Sequence, residues 1–186
     1  MQRREINVRK SILSVFSLLV IGMLPGCSTT SKAPDVADNV RRSLDQAGYK
    51  DVNVSQDRDK GVVTLTGSVP TDADKSQAES IAKANAQSQV IADQISIRPP
   101  GNESEAKAID KDLDKAIEKS VDATLVKHRL KKDVKYDVKN GVVTLKGDVP
   151  SQSKRQQVEQ LVAAVPNVKQ VVNEIEVKGQ RASTSS

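Results

Sequence analysis

The 186-residue chain has no tryptophan, one phenylalanine and two tyrosines, so aromatic residues make up only 2% of it. Any folded core must therefore consist of valine, leucine, isoleucine and alanine. The chain also has one cysteine, Cys27, and one histidine, His128. One cysteine excludes an intramolecular disulfide and a cysteine-based metal cluster. One histidine means that a histidine-based metal site or a Ser-His-Asp triad cannot be present in two copies.

One decapeptide occurs twice, at an offset of 80 residues. It reads GVVTLTGSVP from Gly61 to Pro70 and GVVTLKGDVP from Gly141 to Pro150, with eight of ten positions identical. A spacing of 80 residues is too long for the repeating unit of a solenoid, and it suits a small domain that has been copied once. We therefore predict two copies of one fold, each with the decapeptide as its central strand.

Alternation within each decapeptide predicts a strand with one buried face and one face in solvent. The buried face holds Val63, Leu65, Gly67 and Val69, and in the second copy Val143, Leu145, Gly147 and Val149. Threonine, serine, lysine and aspartate fill the other face. A glycine inside a strand marks a bulge or a close approach. At Gly67 and Gly147 we expect a helix to cross the sheet, with a ligand there as the alternative.

The first glycine of each decapeptide, Gly61 or Gly141, is assigned to a turn. Asn140-Gly141 between alternating valines is a strong signal for a tight hairpin with positive φ. Asp59-Lys60-Gly61 is the looser equivalent in the first copy. A first strand therefore precedes each decapeptide.

Flanking patterns complete each copy as helix, strand, strand, helix and strand. Thr71 and Ser151 are predicted to cap the second helix of their copy. Copy two begins with a longer helical pattern, about residues 103–130, for which a separate helix packed against the other domain is one alternative. The crossover through the second helix should make the strands that it joins parallel.

The predicted fold class is therefore α+β, with two tandem α-β-β-α-β domains. Each domain has a three-stranded mixed sheet that two helices cover on one face. The expected boundaries are a signal peptide at 1–26, a tether at 27–34, a first domain at 35–98, a linker at 99–103, a second domain at 104–178 and a disordered tail at 179–186.

The first 27 residues have the pattern of an export signal. A basic start precedes an apolar run, Ile12 to Leu24, that is too short to span a bilayer comfortably. Leu24-Pro25-Gly26-Cys27 resembles the lipobox of bacterial lipoproteins, which implies cleavage before Cys27 and a lipid on its thiol. A plain secretory signal with a free cysteine is the alternative. Ser28 is not the aspartate of inner-membrane retention, so the resemblance implies sorting to the outer membrane.

The hairpin motif G-V-V-x-L-x-G-x-V-P and a closing V-x-x-V-x-x-V-x-N-x-I resemble the BON domain. The closing motif holds Val165, Val168, Val171, Asn173 and Ile175, and copy one has at these places Asn85, Ser88, Ile91, Asp93 and Ile95. The architecture as a whole resembles that of dual BON-domain envelope lipoproteins. The resemblance implies a non-enzymatic protein, without cofactor or metal, that supports outer-membrane integrity.

Charge differs between the two copies. Residues 35–98 carry 8 basic and 10 acidic residues, whereas residues 104–178 carry 15 and 12. The densest basic run is Lys127, His128, Arg129, Lys131 and Lys132. Lys127, Arg129, Lys131 and Lys132 are candidates for binding anionic phospholipid. The alternative is a solvated helix end, where cations suit the macrodipole.

We therefore expect a lipid-anchored periplasmic binding protein whose partners are the membrane, anionic phospholipid or envelope proteins. The alternative function is a stress-response or chaperone-like protein-interaction module. Nucleic acid is excluded as a partner, because removal of residues 1–26 lowers the formal charge from +5 to +2 and aromatic residues are scarce. Asp57, Asp59, Asp72 and Asp74 are explained by turn and capping roles, which leaves no catalytic group.

Replacing Cys27 by serine should release the protein from the membrane fraction, because the hydroxyl cannot carry the thioether-linked lipid. Fractionation of cells that express the parent or the variant measures this. Full retention of Cys27→Ser in the membrane pellet would refute the anchor.

Overall fold

The computed structural model describes residues 32–178, which form two domains with the same order of elements. The first domain contains α1 (Ala37–Gln46), β1 (Val52–Asp57), β2 (Val62–Val69), α2 (Asp72–Asn85), β3 (Val90–Asp93) and β4 (Ser96–Ile97). The second contains α3 (Glu103–Lys127), β5 (Val134–Lys139), β6 (Val142–Val149), α4 (Gln152–Ala163), β7 (Gln170–Asn173) and β8 (Glu176–Val177).

The central strand of each sheet is the repeated decapeptide. β1 pairs with β2 in antiparallel fashion, and β3 and β4 both pair with β2 in parallel. β5 to β8 repeat this arrangement in the second domain. The predicted three-stranded mixed sheet is thus confirmed, with a third strand that is interrupted after Asp93 in one copy and after Asn173 in the other.

The local signals for turns and caps act as expected. Asn140 and Gly141 both have positive φ, 51° and 82°, and link Lys139 to Val142 as a two-residue hairpin. The first copy needs a four-residue loop that ends at Gly61, with φ of 64°. The Thr71 and Ser151 hydroxyls accept hydrogen bonds from the backbone N–H three residues ahead, so both caps are confirmed.

Aliphatic side chains fill one core in each domain, between the sheet and its two helices. Leu44, Leu65 and Ile95 are among the largest enclosed side chains of the first core. Leu125 and Leu145 are among those of the second core. Each fully buried side chain of this size contributes roughly 1.5–3 kcal/mol. Small, marginal cores of this kind leave little spare stability.

The expectation of a helix over Gly67 and Gly147 is wrong, because the close neighbour is strand backbone. A β-carbon at Gly67 would lie 2.0 Å from the Asp51 carbonyl oxygen, and one at Gly147 would lie 2.1 Å from that of Asp133. Both glycines also have positive φ, 109° and 125°. They therefore let the chain entering the first strand cross against the central strand, which no L side chain permits.

The second face of each sheet is not wholly in solvent, which corrects the prediction of a wet face. Val62 and Ala92 pack against Val142 and Val172 in a small apolar cluster that joins the domains. Each of the four is at most 4% exposed. Thr144, which the alternation places on the solvent face, is also buried. Val142 and Val172 occupy the positions in the second domain that Val62 and Ala92 occupy in the first, 80 residues earlier. The contact therefore has approximate two-fold symmetry.

Polar bonds across the domain junction surround this cluster. The Gln170 carboxamide bridges the free edge of β3, donating to Ile91 O at 2.6 Å and accepting from Asp93 N at 3.2 Å. Asn140 Nδ2 donates to Gln94 O at 2.7 Å from the hairpin of the second domain. In the first domain the position of Gln170 is taken by Val90, which is 47% exposed and cannot make the equivalent bonds.

The extra turns of the second domain belong to one continuous helix, α3, rather than to a separate helix. The helix ends at Lys127, three residues before the predicted end. Asp114 on its first half accepts hydrogen bonds from the N–H groups of Asn140 and Gly141, both at 2.8 Å. Asp110 pairs with Arg98 of the first domain at 2.6 Å. The extension therefore fixes the hairpin and also contacts the other domain.

The signal peptide, Cys27 and the tail at 179–186 lie outside the described residues. Among residues 32–178, no helix combines the length and the apolar character that a membrane span requires.

Replacing Gly67 by alanine should destabilise the first domain far more than replacing Gly48. Both glycines have positive φ, but a β-carbon at Gly48 meets no atom within 4 Å. Gly48→Ala should cost about 1–2 kcal/mol from the backbone conformation alone. Gly67→Ala should cost at least about 2 kcal/mol more, because the Asp51 backbone must move. Denaturant unfolding of the two variants measures the difference, and equal losses would contradict the contact.

Candidate functional site

The predicted basic residues lie where α3 ends and the chain turns into β5. Lys127 is the last residue of the helix, and Arg129, Lys131 and Lys132 follow in the turn. All four are exposed. We call Lys127, Arg129, Lys131 and Lys132 the basic turn. The four residues lie within six consecutive positions at the C-terminal end of α3.

The basic turn is held in place by a buried leucine. Leu130 is 2% exposed, and its N–H donates to Leu125 O at 2.8 Å. Arg129 precedes it with φ of +58°, the left-handed conformation that closes a helix. Because Leu130 points into the core, the cationic residues on either side of it project outward. Val126, which directly precedes Lys127, is 56% exposed and adds an apolar side chain to the same surface.

Lys131 differs from the other three cations because it is already paired. Its ammonium bonds Asp122 on α3 and lies 4.9 Å from the centre of the Tyr136 ring. The hydrogen bond lowers the pKa of Asp122 and raises the pKa of Lys131. Within residues 32–178, Lys127, Arg129 and Lys132 form no salt bridge. The sequence run therefore overstates the available positive charge by one residue.

The acidic residues around the first hairpin have structural roles. The Asp57 carboxylate accepts from the N–H groups of Asp59 and Lys60, at 3.0 and 3.1 Å. Asp74 accepts a hydrogen bond from the Thr71 hydroxyl at 2.6 Å. In the part of the chain that the structure describes, no three potential ligands are grouped as a metal ion would need.

A buried ion pair in the first domain was not anticipated from the sequence. Lys75 on α2 lies 3.7 Å from the Asp93 carboxylate, with side chains only 15% and 8% exposed. Burial raises the pKa of Asp93, while the hydrogen bond from Ile95 N and the charge of Lys75 oppose the rise. In the second domain, Arg155 and Asn173 occupy these positions.

The domain junction also forms a cavity of about 510 Å³, which we call the interdomain cleft. The loop residues Asp59 and Lys60 line it from the first domain. Gln152 and Arg155 of α4 and the segment 173–177 line it from the second domain. Because its two walls come from segments far apart in the chain, no local sequence pattern could have predicted it.

Comparison with known proteins identifies both copies. The BON domain family model matches residues 33–99 and 113–179. Osmotically-inducible protein Y of Escherichia coli (strain K12) is 29% identical over 135 residues, which are 73% of this chain and 67% of that protein. Among solved structures, the C-terminal domain of CdsD, a structural protein of the type III secretion system of Chlamydia trachomatis, is 15% identical, with 77% of this chain and 97% of that chain covered and a TM-score of 0.33.

Replacing Asp93 by asparagine should flatten the pH dependence of stability. The folded-state pKa of Asp93 lies above its ordinary value of 3.8. Between these two values the folded state binds more protons, so the free energy of unfolding falls as the pH rises. The asparagine removes this term, and its amide can donate to Glu79, as Asn173 donates to Glu159 at 2.9 Å.

Denaturant unfolding at several pH values from about 4 to 7 measures this slope. Asp45→Asn, at an exposed position on α1, is the matched control and should keep the slope of the parent. An unchanged slope in Asp93→Asn would contradict the assignment.

Proposed function

Since this chain belongs to the BON domain family, we propose that it is a non-enzymatic, lipid-anchored binding protein of the bacterial envelope. Cys27 would carry the lipid, and the two domains would face the periplasm from the outer membrane. The single observation that carries the proposal is the duplicated domain behind a lipobox-like segment. In this role the protein supports envelope integrity by binding the anionic phospholipid surface through its second domain.

Electrostatics favours the basic turn as the contact with lipid. A cation near an anionic membrane surface contributes about 1 kcal/mol. Lys127, Arg129 and Lys132 are exposed and without salt bridges within residues 32–178, so their charge is available. Three such contacts give weak binding alone, but an anchored protein has a high effective concentration at the membrane.

The side chain of Val126 supports the same orientation. It is exposed by 56% and precedes Lys127 directly. An exposed apolar residue beside cations suits the boundary between headgroups and acyl chains. The end of α3 would therefore lie on the membrane with Val126 toward the acyl chains and the cations toward the phosphates.

A protein-interaction role in stress is the second candidate function. It is supported by the similarity to a protein whose name describes it as osmotically inducible. It is also supported by Ile109 and Leu113 on α3, which are 54% and 41% exposed and could contact unfolded or partner proteins. In this role the protein would bind polypeptide and show no preference for anionic vesicles.

Vesicle co-sedimentation of residues 28–186 distinguishes the two functions. This lipid-free chain contains both cores, which lie within residues 32–178. We expect salt-sensitive binding to anionic vesicles and none to zwitterionic ones. A triple variant with Lys127, Arg129 and Lys132 changed to glutamine should lose most of it, because about 3 kcal/mol of attraction is removed.

Lys131→Gln is the matched control for this experiment. It removes the same charge from the same turn, but its ammonium already bonds Asp122. It should therefore weaken vesicle binding less than Lys132→Gln does. If neither bilayer binds the parent protein, the basic turn is a solvated helix end. Capture of unfolded proteins by the same chain would then favour the second function.

A further inference from the structure

The interdomain cleft contains three carboxylates, and each already has a lysine partner. The pairs are Asp59 with Lys32 at 3.2 Å, Glu174 with Lys146 at 3.6 Å, and Glu176 with Lys60. The negative charge that lines the cleft is therefore balanced by cations of the protein itself. Any remaining charge in the cleft comes from groups that lack such a partner.

Arg155 is the cleft residue whose charge is not balanced in this way. Within residues 32–178 no carboxylate lies within salt-bridge distance of its guanidinium. Its Nη2 donates to the Asn173 carbonyl at 2.8 Å, and its Nε is buried without any hydrogen-bond partner among the same residues. No hydrogen bond within these residues uses Nη1, so the guanidinium keeps a donor for a ligand in the cleft.

The internal repeat shows that this charge is specific to the second domain. The first domain has Asp72, Asp74, Lys75 and Asp93, whereas the second has Gln152, Lys154, Arg155 and Asn173 at the same four positions. The net charge changes from two negative to two positive. The N-terminus of a helix is already partly positive, so cations in the first turn of α4 oppose its stability. Residues that disfavour folding locally are expected where a ligand compensates for them.

We propose that the interdomain cleft binds a phosphate group, with Arg155 as the principal contact. Nη1 and the second hydrogen of Nη2 are left to donate to phosphate oxygens, because Nη2 already donates to Asn173 O and Nε is enclosed. The partly positive N-terminal end of α4, from which Gln152 and Arg155 line the cleft, adds to the positive potential there. The site is distinct from the basic turn, which lies at the C-terminal end of α3.

The position of the tether suggests that the bound phosphate belongs to a phospholipid headgroup. This assignment rests on the proposed lipid anchor at Cys27. Ala33 N donates to Arg58 O at 2.8 Å, and Lys32 pairs with Asp59, so the chain enters the fold beside the cleft. The short segment from Cys27 to Lys32 spans at most about 18 Å. An anchored protein therefore keeps the cleft close to the headgroups.

Titration of ¹⁵N-labelled residues 28–186 with inorganic phosphate tests the site. We expect saturable shifts of the Arg155 Nε–H resonance and of the amides in the first turn of α4. Arg155→Gln should weaken phosphate binding about tenfold or more. Lys83→Gln, which removes an exposed cation from α2, should leave it unchanged. Shifts that do not saturate, or that persist in Arg155→Gln, would overturn the proposal.

Asn173→Asp is a second variant that keeps the arginine. It gives Arg155 a carboxylate at the position that Asp93 holds beside Lys75, and it removes the amide donor to Glu159. The fold should be retained, because the first domain contains the same carboxylate beside Glu79. Phosphate binding should fall as far as in Arg155→Gln, because the new carboxylate neutralises the guanidinium. A folded Asn173→Asp protein that binds phosphate as the parent does would also overturn the proposal.

Vesicle binding by the same variant separates the two sources of phosphate. If the site binds headgroups, Asn173→Asp should weaken binding to anionic vesicles even with the basic turn intact. If the variant loses inorganic phosphate but binds vesicles as the parent does, the site takes soluble phosphate and the headgroup assignment is wrong. The proposal that the basic turn binds lipid is tested separately, because it fails if the triple variant binds vesicles as the parent does.

Discussion

Contact between part of the second face of each sheet and the other domain is the constraint on which this structure depends. Without tryptophan and with one phenylalanine, each domain has only a small aliphatic core. The cluster of Val62, Ala92, Val142 and Val172 adds an apolar contact that neither domain possesses alone. It also brings the loop after β1 next to α4 and so creates the interdomain cleft. The two domains therefore share an apolar contact, and both line the cleft for which we propose a ligand.

Most of the fold could be predicted because its signals are local. Alternation, the Asn140-Gly141 turn and the hydroxyl caps each act within a few residues. The partner of Gly67 could not be predicted, since a glycine in a strand indicates a close approach without saying what approaches. The burial of Thr144 was missed for a related reason: period-two alternation describes one sheet and contains no information about a second sheet. Both errors concern contacts between segments distant in sequence.

The candidate sites divide in the same way. The basic turn is visible as a run of cations, but the pairing of Lys131 with Asp122 depends on the path of the chain after α3. The absence of a carboxylate partner for Arg155 within residues 32–178 depends on geometry as well. Its signal was nevertheless present, because alignment of the two copies shows Asp93 replaced by Asn173. A comparison of charge between equivalent positions would have found the cleft residue, although not the cleft.

Divergence between the copies follows a consistent physical direction. The first domain has acids in the first turn of α2, which favour the helix, and a closed Lys75–Asp93 pair. The second domain has cations at the start of α4 and at the end of α3. The cations at the end of α3 suit the helix dipole, whereas those at the start of α4 oppose it. Helix stability accounts for the cations at the end of α3 but not for those at the start of α4, where we propose the phosphate site.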